Sequence, residues 1–236
     1  YLENIGSQSD FTPIAGTTRI NTKIKVNAQE ETSFDAAGPD LSDAEIQAFL
    51  SKFDDLQSDD IVGFAGTIPK ALGEDFYEVL IEKVKARGAQ FAIDVDGQKL
   101  LKTLKYEPLV IKPNREELEE IYSVKFKSKE DIIPYGQKLL AEGVQNVMIS
   151  MAGDGALLFT GDDTYFAAPI KGELKNSIGA GDSTVAGFLA EWSRSQDTLA
   201  AFKQGVACGT AKVFSEDMPS ESFLKECFEK VIIEKL

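Results

Sequence analysis

The residues with the clearest chemical meaning lie between 176 and 188: Asn-Ser-Ile-Gly-Ala-Gly-Asp-Ser-Thr-Val-Ala-Gly-Phe. Gly179 and Gly181 form a turn that runs directly into an apolar stretch with helical spacing. Glycine lets the main chain approach a ligand closely and adopt dihedrals that other residues avoid. The first turn of a helix presents unpaired N–H groups and a partial positive charge. Together these features make a main-chain anion site suited to a phosphate. A carboxylate at its mouth, Asp182, would repel that anion, so its presence needs a reason. Acting as a base supplies one. Asp182 takes the proton of an attacking alcohol while the amides of Gly179, Ala180 and Gly181 hold the charge of a transferring phosphoryl group. The bland alternative is a glycine-rich turn in which Asp182 is an ordinary N-cap.

Ligands of open α/β sheets lie beyond the carboxyl ends of the strands, so residues after each expected strand are the next candidates. These are Ala65-Gly66-Thr67-Ile68-Pro69, the Asp94 and Asp96-Gly97 turn, Lys112-Pro113-Asn114 with Glu117, and Ser150-Met-Ala-Gly153-Asp-Gly155. Lys112 can pair with a nucleotide phosphate, and Asn114 and Glu117 offer oxygens suited to Mg²⁺ through water. Equally, Asn114 can cap a helix and Glu117 complete a capping box. Ser150, Gly153 and Gly155 can bend around a nucleotide or form a plain turn. Asp94 and Asp96 can hold sugar hydroxyls or cap the next helix. Arg19, Asn21 and Lys23 share one face of an alternating stretch. That face is either a solvated flap surface or a cover that grips an anionic substrate. Cys208 and Gly209 mark close packing of a helix against the sheet or against a ligand ring.

The bulk properties exclude several chemistries. The chain has 236 residues, 43% of them hydrophobic, and a formal net charge of −14 from 39 acids and 25 bases. Without a basic run, neither nucleic acid nor an anionic membrane is an expected partner. The absence of histidine removes imidazole acid–base catalysis and most zinc sites. Two cysteines are too few for a disulfide framework and fit a reducing, cytoplasmic location. No stretch has transmembrane length and no signal peptide is visible. The sequence opens on Tyr1 rather than Met, so the natural chain is expected to begin earlier.

Positioning such residues requires a particular framework. Residues 18–27 alternate with period two, Ile20, Thr22, Ile24 and Val26 on one face, with 33–36 as the expected antiparallel partner. Ser42 and Glu45 make a capping box ahead of an apolar stripe of Ile46, Phe49, Leu50 and Phe53. Strands are then expected at 61–64, 90–94, 109–111, 147–150, 156–160 and 164–167. Helices are expected at 73–87, with Phe76, Val79, Leu80 and Val84 inward, and at 97–104, 115–122, 128–142, 181–194, 197–213 and 220–233. Strands alternating with helices imply βαβ units and a mostly parallel sheet. The segment at about 17–36 falls outside that rhythm and reads as a small antiparallel β lid.

The ordered motifs resemble those of the PfkB (ribokinase-like) carbohydrate kinases, in particular the branch that phosphorylates ketohexose phosphates. Asn176-Ser-Ile-Gly-Ala-Gly-Asp182-Ser is similar to the C-terminal signature of that family, Lys112-Pro-Asn114-x-x-Glu117 to its second motif, and Ser150 to Gly155 to its nucleotide loop. Gly16-Thr-Thr-Arg19-Ile-Asn21-Thr-Lys23 looks like its flap strand, and Ala65-Gly66-Thr67-Ile-Pro69 like its Ser-Gly-Ser-Leu-Pro turn. The resemblance covers the whole chain in order. It implies a single kinase domain over 1–236, a three-layer αβα sandwich, and phosphoryl transfer from ATP with Mg²⁺, a monovalent cation being left open. Fructose 1-phosphate is the implied acceptor, with tagatose 6-phosphate or another sugar of the family as the alternative and a non-catalytic sugar-phosphate binder as the other outcome. The implied roles are catalysis for Asp182, Gly179, Ala180 and Gly181, and nucleotide contact for Lys112, Asn114, Ser150, Gly153, Gly155, Cys208 and Gly209. Arg19, Asn21, Lys23, Gly66 and Thr67 would contact the substrate, and Asn114 and Glu117 would organise the metal. A homodimer through the lid is expected. The family pattern begins with a strand and a Gly-Gly-Lys-Gly-Ile-Asn type loop that this sequence does not contain, so the sugar site is expected to be incomplete within 1–236. Ala152, Asp96 and Ser215-Glu-Asp-Met also depart from it, which bears on nucleotide affinity and cation dependence.

Overall fold

The computed structural model describes residues 5–25, 31–34, 36–73, 75–95 and 97–236. Val26 and Asp96 lie outside the described residues, as does the side chain of Lys23. The chain divides into two compact units, Tyr1–Gln57 with Thr67–Arg87, and Ser58–Gly66 with Gly88–Leu236.

In the first unit, β1 (Thr22–Lys25) pairs antiparallel with β2 (Glu31–Phe34). The described register runs from Thr22↔Phe34 to Lys25↔Glu31, and residues 26–30 and 35, into which the expected strands continue, lie outside the described residues. Thr22, Ile24, Thr32 and Phe34 share one face, and Ile24 and Phe34 are exposed. Helix α1 (Asp43–Ser51) begins at the expected capping box, with the Ser42 hydroxyl and Glu45 carboxylate exchanging bonds with each other's backbone amides. The Glu45 carboxylate also accepts from the Ala15 N–H at 2.5 Å. The Ser42 hydroxyl first, then these amides, hold its carboxyl below the usual carboxylate range. Helix α2 (Phe76–Ala86) buries Tyr77, Leu80, Ile81 and Val84, the i, i+3, i+4, i+7 set. Val79, expected inward, is exposed because it falls one position off that stripe.

The second unit holds a seven-stranded sheet in the order β3 (Ile61–Ala65), β4 (Gln90–Asp94), β5 (Val110–Ile111), β6 (Asn146–Ser150), β7 (Ala156–Thr160), β8 (Asp163–Ala167), β9 (Ile233–Lys235). Pairings from β3 to β6 are parallel and those from β6 to β9 antiparallel. The expected mostly parallel sheet is therefore parallel only in its first half. Parallel neighbours need a crossover helix, whereas short turns at 151–155 and 161–162 reverse the chain. The C-terminal helix also stops earlier than expected. Helix α8 (Glu221–Lys230) gives way to β9, which pairs with β8 through Ile233↔Ala167. The β-branched run Val231-Ile232-Ile233 favours a strand, and β8 offers it an edge.

Side-chain alternation gives this sheet two apolar faces. Ala92, Val110, Met148, Leu158 and Ala167 pack with Phe188, Phe202, Ala207, Ala211 and Cys227. These come from α6 (Ala180–Ser195), α7 (Thr198–Val213) and α8. The alternate residues, including Phe91, Ile111, Val147, Leu157 and Phe159, are fully buried on the other face. There α5 (Lys129–Ala141) presses Gly136 onto the Phe159 ring. Two shorter helices, α3 (Gly97–Thr103) and α4 (Arg115–Tyr122), follow β4 and β5. Each fully buried phenylalanine contributes roughly 1.5–3 kcal/mol.

Gly136 tests this packing. A Cβ there would lie 2.3–2.6 Å from three Phe159 ring atoms, and the ring is fully buried. The helix-propensity gain of Gly→Ala, about 1 kcal/mol, is outweighed by overpacking of about 1–3 kcal/mol. Gly136→Ala is expected to melt a few degrees below the wild type in thermal denaturation. An unchanged or higher melting temperature would contradict the packing.

Candidate active site

The four parallel strands of the second unit end along one edge of its sheet. Their last residues and the turns that follow supply Asp94, Lys112, Asn114 and Ser150. Lys112 is buried, 6% exposed, and its Nζ lies 3.5 Å from Asp94 Oδ1. The Ser150 N–H donates to the Pro113 carbonyl at 3.2 Å, tying the end of β6 to the Lys112-Pro113-Asn114 turn. The Asn114 side chain accepts from the Glu117 N–H while the Glu117 carboxylate accepts from the Asn114 N–H, both at 2.8 Å. The capping box read from the sequence is thus formed at the start of α4, and both side chains are engaged in it.

The first turn of α6 lies against the same group. A Cβ on Gly181 would sit 3.1 Å from Lys112 Nζ and 3.9 Å from Asp94 Oδ2, so glycine there lets the helix start close to the ion pair. Gly179 is the N-cap, in the left-handed region with φ 77°, and makes no side-chain cap bond. Asp182 is the third helical residue and is exposed. The ordinary N-cap role is therefore filled by Gly179, leaving the Asp182 carboxylate outside the cap. The preceding segment is held firmly. The Lys175 and Asn176 N–H groups donate to the Val213 carbonyl at 2.9 and 3.1 Å, and the Asn176 amide bridges the Glu216 carbonyl and the Ile178 N–H.

Helix α7 sets the height of this turn. A Cβ on Gly209 would meet Thr184 Oγ1 at 2.1 Å, and one on Gly205 would meet the Thr184 carbonyl at 2.8 Å. Cys208 fills the space opposite Gly187, where a Cβ would come within 2.6 Å of its Sγ. Cys208 and Gly209 thus pack α7 against α6, not against the sheet. Burial pushes the Cys208 thiol up, which makes it a poor nucleophile. In the 151–155 turn, Gly155 has φ 95° and a Cβ would strike the Ala167 carbonyl at 2.3 Å, so its glycine serves the β7–β8 hairpin. Gly153 faces open space. Arg115 ties α4 to this turn through Asp154 at 2.7 Å. Gly66 has φ 89°, and Gly66 and Thr67 are exposed. In the first unit Arg19 is half-buried beside Gly38, and Asn21 is exposed.

Two features escaped the sequence reading: the Asp94–Lys112 pair, and Lys212. Lys212 is 6% exposed, and its Nζ is buried without a hydrogen-bond partner. Its signal was present as a lysine on the seam of Gly205 and Gly209, seven and three residues further along α7. Among the described residues no cluster of three or more His, Cys, Asp or Glu could hold a metal ion, and no helix is long and apolar enough to cross a membrane.

Comparison with known proteins gives concordant matches. The model of the pfkB family carbohydrate kinases matches residues 1–220. A 1-phosphofructokinase from Bacillus subtilis is 42% identical over the whole chain, which spans 77% of that protein. A D-tagatose-1-phosphate kinase from Bacillus licheniformis is 30% identical over 97% of the chain and 75% of its own length. Among solved structures, a Staphylococcus aureus protein provisionally named a phosphofructokinase superposes with a TM-score of 0.88 at 34% identity, over 100% of this chain and 76% of that one.

The geometry of the turn predicts unequal glycines. At Gly179 the left-handed backbone would cost a side chain about 1–2 kcal/mol, with only an ordinary contact 4.0 Å from Lys212 Cε. Gly179→Ala is expected to lower stability by that amount in denaturant titration, whereas Gly153→Ala is expected to stay within about 0.5 kcal/mol. Equal effects at both sites would contradict the assignment of strain to the turn.

Proposed function

Because the chain belongs to the pfkB family of carbohydrate kinases, we propose that it transfers a phosphoryl group from ATP to the free primary hydroxyl of fructose 1-phosphate, giving fructose 1,6-bisphosphate. The observation that carries this reading is Asp182, exposed at the third position of α6 and unused as a cap, beside a helix start capped by a left-handed glycine. In this mechanism Asp182 accepts the hydroxyl proton as the sugar oxygen attacks the terminal phosphorus. The bond to the ADP oxygen breaks, and the amides of Gly179 and Gly181 hold the charge spread over the equatorial oxygens, while the Ala180 N–H, assigned to them from the sequence, donates to the Ser177 carbonyl at 3.1 Å. Such transfer is chiefly positioning and charge stabilisation. Lys112 lies against Gly181, where its ammonium favours a nucleotide phosphate. Ser150, Gly153 and Gly155 are assigned to the nucleotide. Cys208 and Gly209 support it indirectly by seating α7 on α6.

Membership of the family implies ATP and a divalent metal in general, and we assign Mg²⁺. The Asn114 and Glu117 oxygens are of the type this ion takes, and each would meet it through water while keeping its capping bond. Magnesium keeps much of its water and is held by one or two carboxylates together with substrate phosphates, and Asn114 and Glu117 offer oxygens at the edge that Lys112 shares. Bound there, Mg²⁺ would offset charge on the nucleotide phosphates. Arg19, Asn21, Lys23, Gly66 and Thr67 are assigned to the sugar phosphate. The exposed apolar residues Ile20, Ile24 and Phe34 of the lid support a homodimer through that face. A cytoplasmic location accords with Cys208 and Cys227, both unpaired among the described residues.

The D-tagatose-1-phosphate kinase relative supports a second acceptor, the epimeric ketohexose phosphate. Kinetics on both sugar phosphates with the native-length polypeptide separate the two, and a higher kcat/KM for fructose 1-phosphate is expected. In the same assay Asp182→Asn is expected to lower kcat on the order of 10²–10⁴-fold while binding of a non-hydrolysable ATP analogue persists. Turnover at the wild-type rate would defeat the assignment.

A further inference from the structure

We propose that Lys212 is a nucleotide-binding residue of the phosphate site, a buried cation that meets a nucleotide phosphate oxygen from beneath the 177–181 turn. The inference rests on the kinase reading and adds to it a residue none of the motifs contains. The first observation is the absence of a partner. Lys212 is 6% exposed, yet its Nζ has no hydrogen-bond acceptor among the described residues. Lysine normally leads its ammonium out to water along a buried stem. An ammonium held inside without an anion is among the most costly arrangements a fold can keep.

The second observation is direction. Lys212 extends the seam of Gly205 and Gly209, which lies against Thr184 and the Ala180 carbonyl of α6. One turn further on, its Cε comes within 4.0 Å of where a Gly179 side chain would begin. The ammonium therefore approaches the opening of α6 from the side opposite the solvent. The first-turn amides and the dipole of that helix already favour an anion at the same place.

The third observation is the charge left over. Of the two lysines beside the turn, Lys112 lies 3.5 Å from the Asp94 carboxylate. Lys212 has no such counterion among the described residues. A simpler structural role would have Lys212 bond the last carbonyls of its own helix. The Val213 carbonyl instead accepts from the Lys175 and Asn176 amides, and the Lys212 carbonyl from Ser215. The ammonium is thus left for an incoming phosphate.

The test compares Lys212→Met, Lys212→Gln and Lys212→Arg with wild type in the native-length polypeptide. Calorimetric binding is measured separately for a non-hydrolysable ATP analogue and for fructose 1-phosphate, with thermal melting in the absence of ligand. Loss of the charge is expected to weaken the ATP analogue by about tenfold or more and to leave fructose 1-phosphate within about twofold. Removing an unpaired buried charge is expected to leave the ligand-free melting temperature unchanged or raised, with Lys212→Arg retaining most of the affinity. Analogue binding within about twofold of wild type, or weakening confined to fructose 1-phosphate, overturns the inference. Should Lys212→Met not fold, the ratio between the Gln and Arg variants decides by the same criterion. Wild-type turnover, followed in parallel, separates the two levels. An active wild type with Lys212 variants of normal affinity sinks this inference alone, whereas an inactive wild type sinks the kinase reading.

Discussion

The close approach of α7 to α6 is the contact on which the site depends. It is made by glycines: Gly205 and Gly209 on α7 face Thr184, and Gly187 on α6 faces Cys208. Any side chain at Gly205 or Gly209 would fall within 3 Å of atoms on α6, so the two axes could not keep their spacing. Small residues on the sheet extend the effect, with Gly63 beneath Leu189 and Ala92 in the same apolar cluster as Phe188. Holding α6 this close sets where its first turn ends, and that turn carries Gly179, Gly181 and Asp182.

The two halves of the sheet have different tasks. The parallel half aligns four strand ends on one edge, which brings Asp94, Lys112, Asn114 and Ser150 into neighbouring positions. Crossover helices are what permit that alignment, since each returns the chain to the same starting edge. The antiparallel half adds little chemistry but much burial. Leu157, Leu158 and Phe159 are fully buried, and β9 covers the outer edge of β8, which would otherwise present unpaired backbone groups. Rigid burial on one side and functional turns on the other is the division expected when a scaffold positions loops.

Much of the framework was legible because its signals are local. Capping boxes at Ser42 and Asn114, the glycine turn that opens α6, and the apolar stripe of α1 each depend on residues within a turn or two of one another. Two readings went astray for non-local reasons. Helix α8 was extended into Val231-Ile232-Ile233 because the edge of β8 that recruits them is some seventy residues away in sequence. The inward face of α2 was displaced by one position because Val79 and Tyr77 are both apolar, and packing alone selects between them.

By itself the sequence determined which chemistry was available. It excluded imidazole catalysis and thiolate metal sites through composition, and it placed a carboxylate three residues after a left-handed glycine at a helix start. Those are matters of residue type and short spacing, which chain connectivity preserves in any fold. Only the tertiary structure decided which groups meet. The Asp94–Lys112 pair joins two strand ends, and Lys212 reaches Gly179 because α7 folds back along α6. Burial likewise belongs to the fold, because whether an ammonium keeps water or loses it depends on every element packed around it.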